Sequence, residues 1–116
     1  MKKKLLYITL AESLMQDILS GSLEAGSKVL SVRDMAMQSK VNPKTVQKAF
    51  EYLEAREIFE SRHGEGRFVT SDAQKLQSIK ALLIEEEIDN FISVIANIDI
   101  PKEEILKLLA NKLEDK

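Results

Sequence analysis

The side chains best suited to chemistry in this 116-residue sequence lie close together, in Asn42-Pro43-Lys44-Thr45-Val46-Gln47-Lys48, with Arg33 a short way upstream. Lysine and arginine neutralise phosphates. Threonine and asparagine hydrogen-bond to phosphates or base edges, and a glutamine amide can pair with adenine through two hydrogen bonds. Asn42 suits the cap of a helix and Pro43 its first position. The cluster therefore falls on the first turns of a helix, whose exposed N–H groups favour a phosphate. Outside such a setting Arg33, Lys44 and Lys48 read as ordinary solvated charges, and Asn42 as a cap alone. The single histidine, His63, stands beside Gly64 in a second polar stretch, His63-Gly64-Glu65-Gly66.

Other chemistries find little support. There is no cysteine, hence no disulfide framework, thiolate zinc site or cysteine nucleophile. No Walker-type glycine loop, metal-ligand cluster or nucleophile with a nearby base is present. Glu85-Glu86-Glu87 are consecutive on a helix and point in different directions, so they read as a solvated acidic surface. No catalytic residue, metal or cofactor is expected. The apolar run behind Met1-Lys2-Lys3-Lys4 meets Glu12 before it reaches a useful length, so a cytoplasmic protein without a membrane partner is expected. The net charge of −2 is unevenly divided. Residues 1–70 hold 11 Lys and Arg against 9 Asp and Glu, giving +2, and residues 71–116 hold 6 against 10, giving −4.

The elements that position the cluster follow from periodicity. Tyr7, Ala11, Leu14 and Ile18 mark one face of a helix that ends at Ser20-Gly21. Val29-Leu30 offers a very short strand. Ser31, with Asp34 three residues on, starts a second helix that buries Val32, Met35 and Ala36 and fades at Ser39-Lys40. Val41 anchors the turn. A third helix carries Val46, Ala49, Phe50 and Leu53 and runs to about Arg56. The period then changes. Residues 58–62 and 67–70 read as strands joined through Gly64 and Gly66, a β-hairpin. Helix, short strand, helix, turn, helix, hairpin is the order of a winged helix-turn-helix, which lays the second helix of the pair in a major groove.

Beyond Thr70 the helical period returns. Leu76, Ile79, Leu83, Ile88, Phe91, Ile92 and Ile95 define a long helix from about Asp72 to Ala96. Residues 97–101 break it, and Asp99 or Ile100 precedes a last helix carrying Ile105, Leu108, Leu109 and Leu113. Two such helices cannot bury both stripes against each other and still form a core, which predicts completion by a second copy with two-fold symmetry. The expected fold is mostly α with a small β-hairpin: a winged helix-turn-helix DNA-binding domain over residues 1–70 and a helical dimerisation hairpin over residues 71–116.

Several segments together resemble the GntR family of bacterial regulators: residues 23–29, Ser31-Val32-Arg33-Asp34-Met35-Ala36, residues 41–50, Leu53-Glu54-Ala55, and Gly64-Glu65-Gly66-Arg67-Phe68-Val69. The resemblance covers about Tyr7 to Thr70. It implies DNA contacts by Arg33, by Thr45 and its neighbours, and by the wing tip around His63 and Gly64 in a minor groove. The short remainder looks like the YtrA-like branch, whose two-helix tail is a dimerisation element. Four residues depart from the family pattern: Leu30 for a proline, Gln47 for an arginine, Glu57 for a glycine, and Glu65 within the wing loop. The sequence thus points to a homodimeric repressor of a two-fold operator in double-stranded DNA, with any small-molecule effector unspecified. The competing reading is a winged-helix protein-interaction module that does not read DNA, favoured by the near-neutral first part and by Glu65.

Overall fold

The computed structural model describes residues 5–115; the basic run Met1-Lys2-Lys3-Lys4 lies outside them. Helix α1 (Leu6–Ser20) turns Ala11, Leu14 and Met15 inward and stops at Gly21, whose φ of 87° makes the left-handed cap. Helix α2 (Val32–Ser39) begins where the Ser31 hydroxyl accepts the Asp34 N–H at 3.0 Å. Helix α3 (Pro43–Ala55) begins where the Asn42 side-chain Oδ1 accepts the Lys44 N–H at 2.8 Å. Strands β1 (Phe59–Arg62) and β2 (Gly66–Val69) pair antiparallel, with Phe59 opposite Val69 and Arg62 opposite Gly66. Helices α4 (Ala73–Ile95) and α5 (Lys102–Glu114) complete the chain.

The core forms around α3. Val46, Ala49, Phe50 and Leu53 are all fully buried, between α1, α2 and β1. The Phe50 ring meets Phe59 edge-on at 5.5 Å, a preferred aromatic arrangement. The short strand expected at Val29-Leu30 pairs slightly earlier, with Lys28 opposite Phe68. There Val29 N–H donates to Arg67 and Val69 N–H to Ser27, both at 2.9 Å, which ties the loop before α2 to the hairpin.

The last helix also starts later than expected. Pro101, rather than Asp99 or Ile100, takes the cap position, and its carbonyl accepts the Glu104 and Ile105 N–H groups.

The periodicity changes at residue 70, but the packing runs on. Thr70 is fully buried, and its hydroxyl accepts the Asp72 N–H at 3.1 Å. Asp72 then caps α4. Ile79, expected at an interface between copies, is instead fully buried within its own chain, and Leu76 and Leu83 are partly covered by the same core. The cause is that α4 lies on α1 as it leaves the wing. Beyond Leu83 it departs from the core, and Ile84, Ile88, Phe91 and Ile92 face outward.

Helix α5 buries nothing, and none of its Cα atoms lies within 8 Å of one in α4. The chain is correspondingly extended. Its radius of gyration is 16.9 Å, against about 13 Å for a compact chain of this length.

Helix α3 ends in a Schellman motif. Ile58 N–H reaches the Leu53 carbonyl and Glu57 N–H the Glu54 carbonyl, both at 2.9 Å. The motif needs a left-handed residue, and Glu57 supplies it at φ 60°. That is the position where the family resemblance leads one to expect glycine. The Glu57–Lys75 pair at 3.6 Å offsets little of the strain, since Glu57 is 70% exposed. Glu57→Gly should raise stability by about 0.5–1 kcal/mol in urea denaturation. A loss of stability would contradict this account of the helix end.

Candidate nucleic-acid interface

Burying one stripe of α3 leaves the opposite face to solvent. Lys44 and Lys48 are exposed on that face, and Thr45 and Gln47 are half-buried beside them. These residues lie in the first turns of α3, where unsatisfied N–H groups and the helix dipole favour an anion. Arg33, exposed on α2, lines a shallow cleft with Met37 and Pro43, which brings this residue close to the start of α3. Lys48 sits further round, in a depression shared with Tyr7, Glu51 and Tyr52. Asn42 is committed to its cap, as expected of that residue type. The Gln47 amide donates to the Glu51 carboxylate at 3.0 Å.

The cations divide into two groups. Arg67 is held by Glu54 at 2.8 Å, and Arg56 stacks on the Tyr52 ring at 3.5 Å. Arg33, Lys44 and Lys48 have no ion-pair partner among the described residues. The three cations expected to meet phosphate thus lack a carboxylate partner of the kind that holds Arg67.

The wing is fastened to the same helix. Glu54 of α3 accepts from Ser61 on β1 and Arg67 on β2. Burial pushes the Glu54 carboxyl upward, but the hydrogen bonds from Ser61 and Arg67 and the Arg67 charge outweigh it, leaving its pKa below the ordinary value. His63 and Gly64 sit exposed at the hairpin tip, and Gly64 at φ 75° permits the turn. Gly66 has φ 106°, and a Cβ there would lie 3.2 Å from Lys28 Cε, so the Lys28 side chain reaches the strand next to the hairpin turn.

Arg62 was missed in the sequence. It stacks over Phe68 at 4.0 Å with nearly half its side chain exposed, which holds a cation next to His63. Its place opposite Gly66 was the available signal, since glycine leaves that position of the outer face open.

Of the tail positions singled out in the sequence, Ile88, Phe91, Ile92, Ile95, Ile105 and Leu109 line one open groove of about 790 Å³ between α4 and α5, and Leu83 closes its inner end. Ile84 and Leu106 join them, whereas Leu108 is exposed outside the groove. Among the described residues no helix is long and apolar enough to cross a membrane, and no group of three or more His, Asp or Glu could hold a metal ion.

Residues 6–69 match the sequence model of the bacterial regulatory proteins of the gntR family. The chain belongs to the GntR family. It is 33% identical over 104 residues to the HTH-type transcriptional regulator YhcF of Bacillus subtilis, covering 90% of this chain and 86% of that one. It is also 31% identical over 88 residues to the HTH-type transcriptional repressor YtrA of the same organism, covering 75% and 68%. Among solved structures, a GntR family transcriptional regulator from Listeria monocytogenes superposes with a TM-score of 0.72 at 32% identity, over 96% of this chain and 97% of that one. This GntR-family chain is thus a DNA-binding transcription regulator and not an enzyme.

A folded-state pKa held low means that the ionised Glu54 clamp stabilises above the ordinary carboxylate pKa and loses that contribution as pH falls through the depressed value. Glu54→Gln should cost about 1–2 kcal/mol near neutral pH. The gap to wild type should close as the pH is lowered through the acid range. Urea titrations at about pH 7 and about pH 3 check this; an equal gap at both would show that the clamp does not depend on the carboxylate charge.

Proposed function

We propose that this GntR-family regulator is a homodimeric repressor that binds a two-fold operator, with α3 in the major groove and the hairpin tip in the flanking minor groove. The observation that carries the DNA-reading surface is the unmatched set of Arg33, Lys44 and Lys48 around the open first turns of α3. Residues 1–70 supply this surface and residues 71–116 the dimer contacts. The similarity to a repressor, YtrA, supports both the sign of regulation and the YtrA-like branch. A dimer across an operator would also obstruct polymerase sterically. The site of action is the cytoplasm, where the DNA is.

The second copy is argued from α5. A lone helix of its 13 residues is marginal in water, yet Leu106, Leu109 and Leu113 remain exposed along it. Helix α4 presents a matching exposed row in Ile84, Ile88 and Ile92. Each copy can offer its α5 to the other's groove, which closes the assembly at two.

Two measurements test these parts separately. Arg33→Ala and Lys44→Ala should each weaken binding to all duplexes alike and reduce the slope of log affinity against log salt by about 1. Wild-type affinity and slope in the double variant would remove these residues from the DNA surface. Ile92→Glu or Leu109→Glu should sediment as a folded monomer where the unaltered chain sediments as a dimer. If the variants remain dimeric, the groove is not the dimer contact.

A further inference from the structure

Glu51 is a carboxylate on the DNA-facing side of α3, one turn beyond Gln47. A negative charge there repels phosphates, so its place on this surface calls for a compensating task. Gln47 Nε2 donates to Glu51 Oε2 at 3.0 Å, and no other hydrogen bond of either side chain is present among the described residues. A glutamine amide offers one acceptor oxygen and two N–H donors. Left alone it can rotate by half a turn and exchange its two ends. A carboxylate accepts only, so it selects the nitrogen end and turns the carbonyl oxygen away.

We propose that Glu51 is a positioning residue that locks the Gln47 amide in the orientation that reads adenine, making this pair a determinant of operator specificity. With one N–H held by Glu51, Gln47 still presents its Oε1 acceptor and its second N–H donor side by side. Adenine offers the complement in the major groove, an N6 donor beside an N7 acceptor. Guanine offers two acceptors there and would meet the Gln47 oxygen unfavourably. This is the position where an arginine is expected from the family resemblance, and arginine suits guanine. Gln47 with Glu51 therefore shifts the preference at that base pair, and the charge of Glu51 lowers the overall affinity while sharpening the choice.

The inference rests on the DNA-reading assignment, and the test separates the two. Duplexes bound by the full chain are selected from a random pool, and affinities are measured for the best duplex and its single-base changes. Wild type should prefer adenine at one position of each half-site on the order of 10-fold or more. Gln47→Ala should abolish that preference and leave the others. Glu51→Ala should reduce it to a few-fold while raising affinity for all duplexes, and Glu51→Gln, whose amide can donate as well as accept and so selects neither end of Gln47, should reduce it likewise. In the Gln47→Ala background, Glu51→Ala should no longer alter base preference. If Glu51→Ala raises affinity uniformly with the adenine preference intact, Glu51 is only a repulsive charge and the proposal fails. It fails equally if Gln47→Ala changes no base preference. Absence of binding to any duplex would overturn the DNA reading itself, and this inference with it.

Discussion

The burial of Val46, Ala49, Phe50 and Leu53 is the constraint on which the rest of the structure depends. A helix with four such residues on one side has no freedom in which side it shows to solvent. Fixing that side places Lys44, Gln47, Lys48 and Glu51 outward. The same burial sets the Phe50–Phe59 contact, which seats the hairpin against α3. Glu54 then joins helix to wing through Ser61 and Arg67. Helix α3 and the hairpin thus share a core contact and a charged clamp.

Much of this was legible in the sequence because the signals are local. Asn42-Pro43 announces the start of α3, and Ser31 that of α2, and both caps form their expected hydrogen bonds. Gly64 and Gly66 mark a hairpin, and both adopt positive φ. What escaped were long-range facts. Periodicity shows that Ile79 faces something apolar but cannot say whether that is its own α1 or another molecule; the path of α4 out of the wing decides it. Arg62 looked like any surface arginine until the register set it over Phe68. Arg67 and Arg33 are the same residue type, and only the presence of Glu54 distinguishes a structural cation from an available one.

The tail shows the complementary case, structure that the chain alone does not finish. Its first part belongs to the N-terminal core through Ile79 and the buried Thr70. Its second part presents a groove and a helix without internal packing. In the proposed dimer, the separation and angle of the two DNA-binding surfaces would be set by how α4 and α5 meet their counterparts, and with them the spacing of half-sites that could be bound together.

The most direct measurement of the central claim is a hydroxyl-radical footprint of the full chain on a duplex selected by binding. The account predicts two protected half-sites related by a two-fold, centred about one helical turn apart, with α3 facing the major groove of each. A single protected half-site, or protection without two-fold symmetry, would contradict it.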